Sequence, residues 1–156
     1  MTDKAPEQRR EVVLGYRAWR VVSTPKGLRL ASMNGVIWPP RQALVAKCRV
    51  RQRGHEVPHS ACTCGIYSGR SRDHLVSMGY SRFRGDVGVV IGIVKLFGKV
   101  IVADVGYRAA KGYPGDLVVP HIIWQVARPL RETYLVETVI GDTFELPLEE
   151  DQDGDW

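Results

Sequence analysis

Short runs dense in β-branched and aromatic residues, punctuated by glycine and proline, dominate the hydrophobic pattern of this chain. Residues 11–22 (EVVLGYRAWRVV) predict a strand, Pro25-Lys26-Gly27 a turn, and residues 28–32 a second strand. Met33-Asn34-Gly35 predicts another turn before Val36-Ile37-Trp38, which together read as a β-meander. Pro39-Pro40 ends it, and Pro40 is placed to open a short helix over 41–47. Residues 64–67 read as a short strand, and Ser71 as the cap of a second helix over 72–78, stopped by Gly79.

The second half is more plainly β. Residues 86–97 and 99–105 predict strands around a turn at Phe97-Gly98. Gly85, Gly88 and Gly92 suggest bulges or coiling of the kind a small barrel needs. Residues 107–113 extend that ladder, 117–126 suit either a strand or a short helix, and 133–140 predict a further strand. No long amphipathic helix or heptad pattern is present. The fold class expected is mainly β (α+β): a small closed or partly open β-barrel with two short helices and a metal-stapled loop. Residues 1–10 read as a flexible leader, 11–147 as one domain, and 148–156 as an acidic tail.

The candidate chemistry lies in Cys48-Arg-Val-Arg-Gln-Arg-Gly-His55-Glu-Val-Pro-His59-Ser-Ala-Cys62-Thr-Cys64. All three cysteines of the chain fall here. Zinc takes four thiolate or imidazole donors in a tetrahedron, and closely spaced pairs make chelation cheap in loop entropy. The expected cofactor is a structural Zn2+ held by Cys48, His55, Cys62 and Cys64, with His59 the alternate imidazole. The competing reading is that the cysteines are small buried apolar residues, with Cys-x-Cys placing both thiols on one strand face. A disulfide suits an odd cysteine count and two cysteines one residue apart poorly.

Charge sharpens the picture. Between Glu11 and Glu56 there is no acidic residue and there are nine basic ones. The last eight residues hold Glu149, Glu150, Asp151, Asp153 and Asp155; without those five acids the formal net charge rises from +5 to +10. So basic a body attracts polyanions. Arg49, Arg51 and Arg53 alternate along the chain, and on a strand they share one face. Arg70, Arg72, Arg82 and Arg84 surround the second predicted helix, with Tyr80 and Phe83 able to stack on unpaired bases. Gly15-Tyr16-Arg17-Ala18 recurs as Gly106-Tyr107-Arg108-Ala109, which adds Arg108 to the candidate nucleic-acid contacts.

No apolar run is long enough to cross a membrane. With no targeting segment and few cysteines, cytoplasm is the expected compartment. No nucleophile elbow, phosphate loop or dinucleotide fingerprint occurs, and Asp73-His74 are too close in sequence to form a relay, so no catalytic residue is named.

His55-x-x-Pro58-x-x-x-Cys62-x-Cys64-Gly-Ile-Tyr, with the later Gly-Tyr-Arg-Ala and Tyr113-Pro114, resembles a family of small actinobacterial and actinophage proteins. That resemblance supports Cys48 and His55 as partners of Cys62 and Cys64 and implies no activity. In architecture, Cys64-Gly-Ile-Tyr67, the 72–78 helix and the glycine-opened run from Gly85 resemble PUA-like domains (ASCH, EVE and SRA types). This implies recognition of RNA or a modified base. The reading at this point is a zinc-stabilised nucleic-acid-binding module. The alternative is a regulator, of phage type, that binds a host protein through its surface or through the acidic tail ending in Trp156.

Overall fold

The structure, a computed structural model, describes residues 7–9, 11–48, 54–71, 86–104 and 106–141. It is mainly β. The strands among these residues are β1 (Glu7–Arg9), β2 (Val13–Thr24), β3 (Gly27–Ala31), β4 (Leu44–Val45), β5 (Ile66–Gly69), β6 (Gly88–Val102), β7 (Gly106–Val119) and β8 (Thr138–Ile140). A 3-10 segment (His121–Val126) and a helix, α1 (Ala127–Tyr134), join β7 to β8.

Antiparallel pairing runs from β6 to β2, from β2 to β5, from β5 to β7, and from β7 back to β6, so the strands form a ring. β1 adds to β6, β3 to β2, and β4 and β8 to β7, with β8 parallel. The ring is uneven. β2 and β6 share nine residue pairs, whereas β2 meets β5 only at Tyr16 and Gly69.

Alternating residues of the long strands fill the interior. Trp19, Val21, Val90, Val94, Leu96, Val100, Ala109 and Leu117 are buried together with Leu30 and Trp38. Trp19 and Trp38 meet edge to face, their ring centroids 5.5 Å apart, the geometry that the ring quadrupoles favour. Helix α1 docks through Ala127, Leu130 and Tyr134. The Tyr134 hydroxyl accepts from the Leu30 amide (2.8 Å) and donates to the Trp38 carbonyl (2.7 Å), pinning α1 to β3 and to the strand-like residues beyond it.

Several local expectations change. Phe97-Gly98 is no turn: β6 runs through it, and the register with β7 shifts between Phe97 and Val100 as at a β-bulge. A second shift between Gly92 and Val94 matches the expected bulging. Residues 41–47 do not form a helix. Arg41 takes a left-handed φ of 63°, and Leu44 and Val45 pair with Gly112 and Lys111 on β7. The apolar side chain of Leu44 then packs on the core, an example of tertiary contact overriding local preference. The second expected helix, 72–78, lies outside the described residues. Among the described residues the one α-helix instead follows β7, so neither the two-helix expectation nor the PUA-like placement of a helix ahead of the glycine-opened strand is matched there. Residues 133–140 contribute a strand only at Thr138–Ile140, after the end of α1.

Candidate metal centre and the adjoining cleft

Cys48 lies three residues beyond β4, and residues 54–65 lead back into β5. The return brings Cys48, His55, Cys62 and Cys64 together, with one ligand atom from each lying within 4.8 Å of all the others. The Sγ atoms of Cys48 and Cys62 are 3.6 Å apart, and no disulfide joins the cysteines. In a tetrahedral thiolate site, metal–sulfur bonds near 2.3 Å put the sulfurs roughly 3.8 Å apart. The four residues are therefore close enough to hold a metal ion in the space between them.

Local hydrogen bonds set each donor. His55 Nδ1 lies 2.8 Å from the Glu56 carbonyl oxygen, which can only accept. Nδ1 therefore carries the proton, and the lone pair is on Nε2, the arrangement in which an imidazole ligates a metal. The Glu56 carboxylate sits 3.6 Å from the ammonium of Lys99, a lysine almost entirely buried on β6. Cys62 and Cys64 are buried and Cys48 is half-buried. Burial pushes the Cys64 thiol above its ordinary pKa, and the neighbouring Cys62 and Cys48 add to the rise, against a lowering contact from the His59 backbone. A cation among the three sulfurs acts in the opposite direction, because thiolates crowded in a dry site are stabilised by positive charge.

His59 takes another part. Its Nδ1 accepts from the Ala61 amide (3.1 Å) and its carbonyl accepts from the Cys62 amide (3.0 Å), closing the tight turn that presents Cys62. Its ring lies beside that of His55, with centroids 5.2 Å apart.

Arg108, on β7, binds the same turn. Its Nη1 donates to the carbonyls of His59 (3.4 Å), Cys64 (3.0 Å) and Cys62. This is a second layer of contacts around the ligands, supplied by a residue that sequence reasoning assigned to polyanion contact. Arg70 is exposed; its guanidinium stands over the Tyr107 ring at 5.8 Å, with Nη1 3.5 Å from the Ala103 carbonyl. Arg49, Arg51, Arg53, Arg72, Tyr80, Arg82, Phe83 and Arg84 lie outside the described residues.

Beside the metal cluster, where β2 and β5 splay apart, a cleft of about 840 Å3 opens. Cys64 and Arg108 form part of its wall, with Arg17, Lys47, Asn34 and Tyr67 around it. No carboxylate among the described residues lines it. Arg17, on β2, crosses the gap: one terminal nitrogen donates to the Tyr67 carbonyl and the other to Ser32 Oγ (3.0 Å), while the guanidinium carbon stands 5.0 Å from the centre of the Trp38 ring. Ser32 Oγ also accepts from the Trp38 indole (2.8 Å).

The repeated Gly-Tyr-Arg-Ala acquires a meaning here. Its two copies lie on β2 and β7, the strands on either side of β5. A side chain at Gly15 would meet Ser68 Oγ at 2.2 Å, and one at Gly106 would meet the Ser68 carbonyl at 2.0 Å. Glycine at both places lets β5 approach both neighbours. The arginine of each copy then donates to backbone carbonyls at or just before β5. Arg17 was not among the candidate contacts read from the sequence; the echo, which was used only for Arg108, carried the signal that could have found it.

No protein-family model, curated protein or solved structure matches the chain. Among the described residues, no helix is long and apolar enough to cross a membrane.

Proposed function

We propose that this protein is a zinc-stabilised nucleic-acid-binding domain. Three thiols and one imidazole, two of the thiols buried and the other donors half-buried, suit a closed structural zinc rather than a catalytic one. The observation that carries the functional reading is the closeness of Cys48 and His55, between which the sequence places three arginines. Cys48 and His55 bracket Arg49, Arg51 and Arg53, so an ion bound at the cluster holds both ends of a segment bearing three cations and no acid. A basic segment anchored in this way meets phosphates with less of its ordering entropy left to lose on binding. Small barrel-like β domains commonly offer such surfaces to single strands.

The reading is tested by binding of single- and double-stranded RNA and DNA across a salt series. Affinity is expected to fall steeply with salt. Replacing Arg49, Arg51 and Arg53 with glutamine is expected to reduce the slope, on a single strand, by about 0.7 for each phosphate no longer neutralised. Absence of binding at low salt refutes the reading and directs attention to protein partners.

A further inference from the structure

The opening between β2 and β5 bears on what is bound and where. We infer that this cleft, walled on one side by the metal-binding turn, seats an unpaired segment of nucleic acid. The inference rests on the nucleic-acid reading above and adds the site and the strandedness of the ligand.

Four observations converge on it. First, the lining charges are of one sign: Arg17, Lys47 and Arg108, with no carboxylate among the described residues, so the cleft favours an anion. Second, about 840 Å3 falls within the range of pockets for small ligands, roughly 300–1,000 Å3. A nucleotide or two fits such a space and a duplex does not. Third, Tyr67 lines the cleft, remains 48% exposed, and has its hydroxyl tied to the Thr63 carbonyl. A ring fixed at its far end and open on its face is a platform for base stacking. Fourth, two of the three cations are preorganised. Arg17 is held by Ser32 and Trp38, and Arg108 by the turn of the metal centre, so little side-chain freedom remains to be lost on binding.

A peptide added as an extra strand is the other occupant such a gap suggests, since from Arg17 to Trp19 the far edge of β2 pairs with neither β5 nor β3. Arg17 disfavours it. Its side chain already takes the Tyr67 carbonyl, one of the edge acceptors an added strand needs.

The test compares labelled oligouridylate, oligothymidylate and duplexes of matching length by fluorescence anisotropy, on zinc-loaded full-length protein. Tyr67→Leu is expected to weaken single-strand binding by roughly 5- to 150-fold, the loss of one stacked base. Lys47→Gln is expected to lower the salt slope by about 0.7. Arg128→Gln, on the exposed face of α1 outside the cleft, is expected to change neither. Circular dichroism and zinc content establish that each variant is folded. If the cleft variants bind like wild type while Arg82→Gln/Arg84→Gln or the arginine triple variant loses binding, the cleft is refuted and the nucleic-acid reading survives. If duplex binds more tightly than single strand, the cleft assignment also fails. If the wild-type protein binds no oligonucleotide, both fail. Selection of extended peptides that Tyr67→Leu no longer binds then identifies a strand-adding protein ligand in their place.

Discussion

Replacing Arg108 with alanine probes how strongly the second layer of contacts holds the metal centre. One guanidinium nitrogen faces three carbonyls of the turn from His59 to Cys64, two of them belonging to ligand cysteines. That nitrogen has two hydrogens, so the three acceptors share them, and the set amounts to between one and two full bonds. A hydrogen bond to a charged donor contributes about 1.5–3 kcal/mol net. Loss of a partner that orients metal ligands typically lowers metal affinity by about 10- to 100-fold, equivalent to about 1.4–2.7 kcal/mol. The second range matches the value of one full bond, the lower end of the first, and Arg108→Ala is expected to bind zinc about 10- to 100-fold more weakly. Competition against a chromophoric chelator measures it. Arg108→Lys is expected to recover part of the loss, because a single ammonium nitrogen also offers several hydrogens to clustered carbonyls. Alanine and wild-type affinities within about threefold of each other would refute the reasoning, showing that the turn holds its shape without the clamp.

Substituting cobalt for zinc is expected to give one ion per chain with thiolate charge-transfer absorption. His55→Ala should alter that spectrum and His59→Ala should leave the ligand-field pattern in place, read by absorption titration; the reverse result would exchange the two imidazoles. Tyr134→Phe strands the buried Leu30 amide and Trp38 carbonyl, and at about 1–3 kcal/mol for each unsatisfied group it is expected to cost about 2–6 kcal/mol in urea unfolding. Burial raises the Tyr134 pKa to about 12. The neutral form is thus favoured in the folded state, and its contribution is full below about pH 10 and is lost as pH rises toward about 12. The stability gap between wild type and Tyr134→Phe should accordingly narrow across that window, and a gap that stays constant would contradict it. Gly106→Ala is expected to destabilise the fold by about 1–3 kcal/mol or more, since a methyl group there meets the Ser68 carbonyl; thermal unfolding reports it.

The clustering of Cys48, His55, Cys62 and Cys64 was readable from the sequence because a chelating set draws on near neighbours: Cys62 and Cys64 are one residue apart, and His55 lies on the same short segment. The strands were readable for a similar reason, as Val13–Thr24 and Gly88–Val102 advertise themselves through β-branched residues. What the sequence hid was non-local. Gly98 has the look of a turn residue, yet with β7 pairing on both sides of it the chain continues as a bulge. Helix α1 hid behind Pro129, which is tolerated in a first helical turn, and behind Thr133 and Val136, which suggested a strand. Its position depends on Tyr134 reaching Leu30 and Trp38, about a hundred residues away in sequence. Arg108 shows a limit of another kind. Its charge was evident, but its hold on three carbonyls of its own chain comes from β7 running past the turn from His59 to Cys64, which no local pattern displays.

The single residue pair between β2 and β5 bears on the order in which the ring assembles. Hairpins close early because little chain must be gathered, so β2 with β3, and β6 with β7, are the local units of this ring. β5 enters last on this ordering. It follows a long excursion that carries all four metal ligands, and only one pair secures it to β2. An ion taken up by the cluster would therefore act on the weakest seam of the ring, tying β5 down beside β2 after its four pairs with β7 have formed.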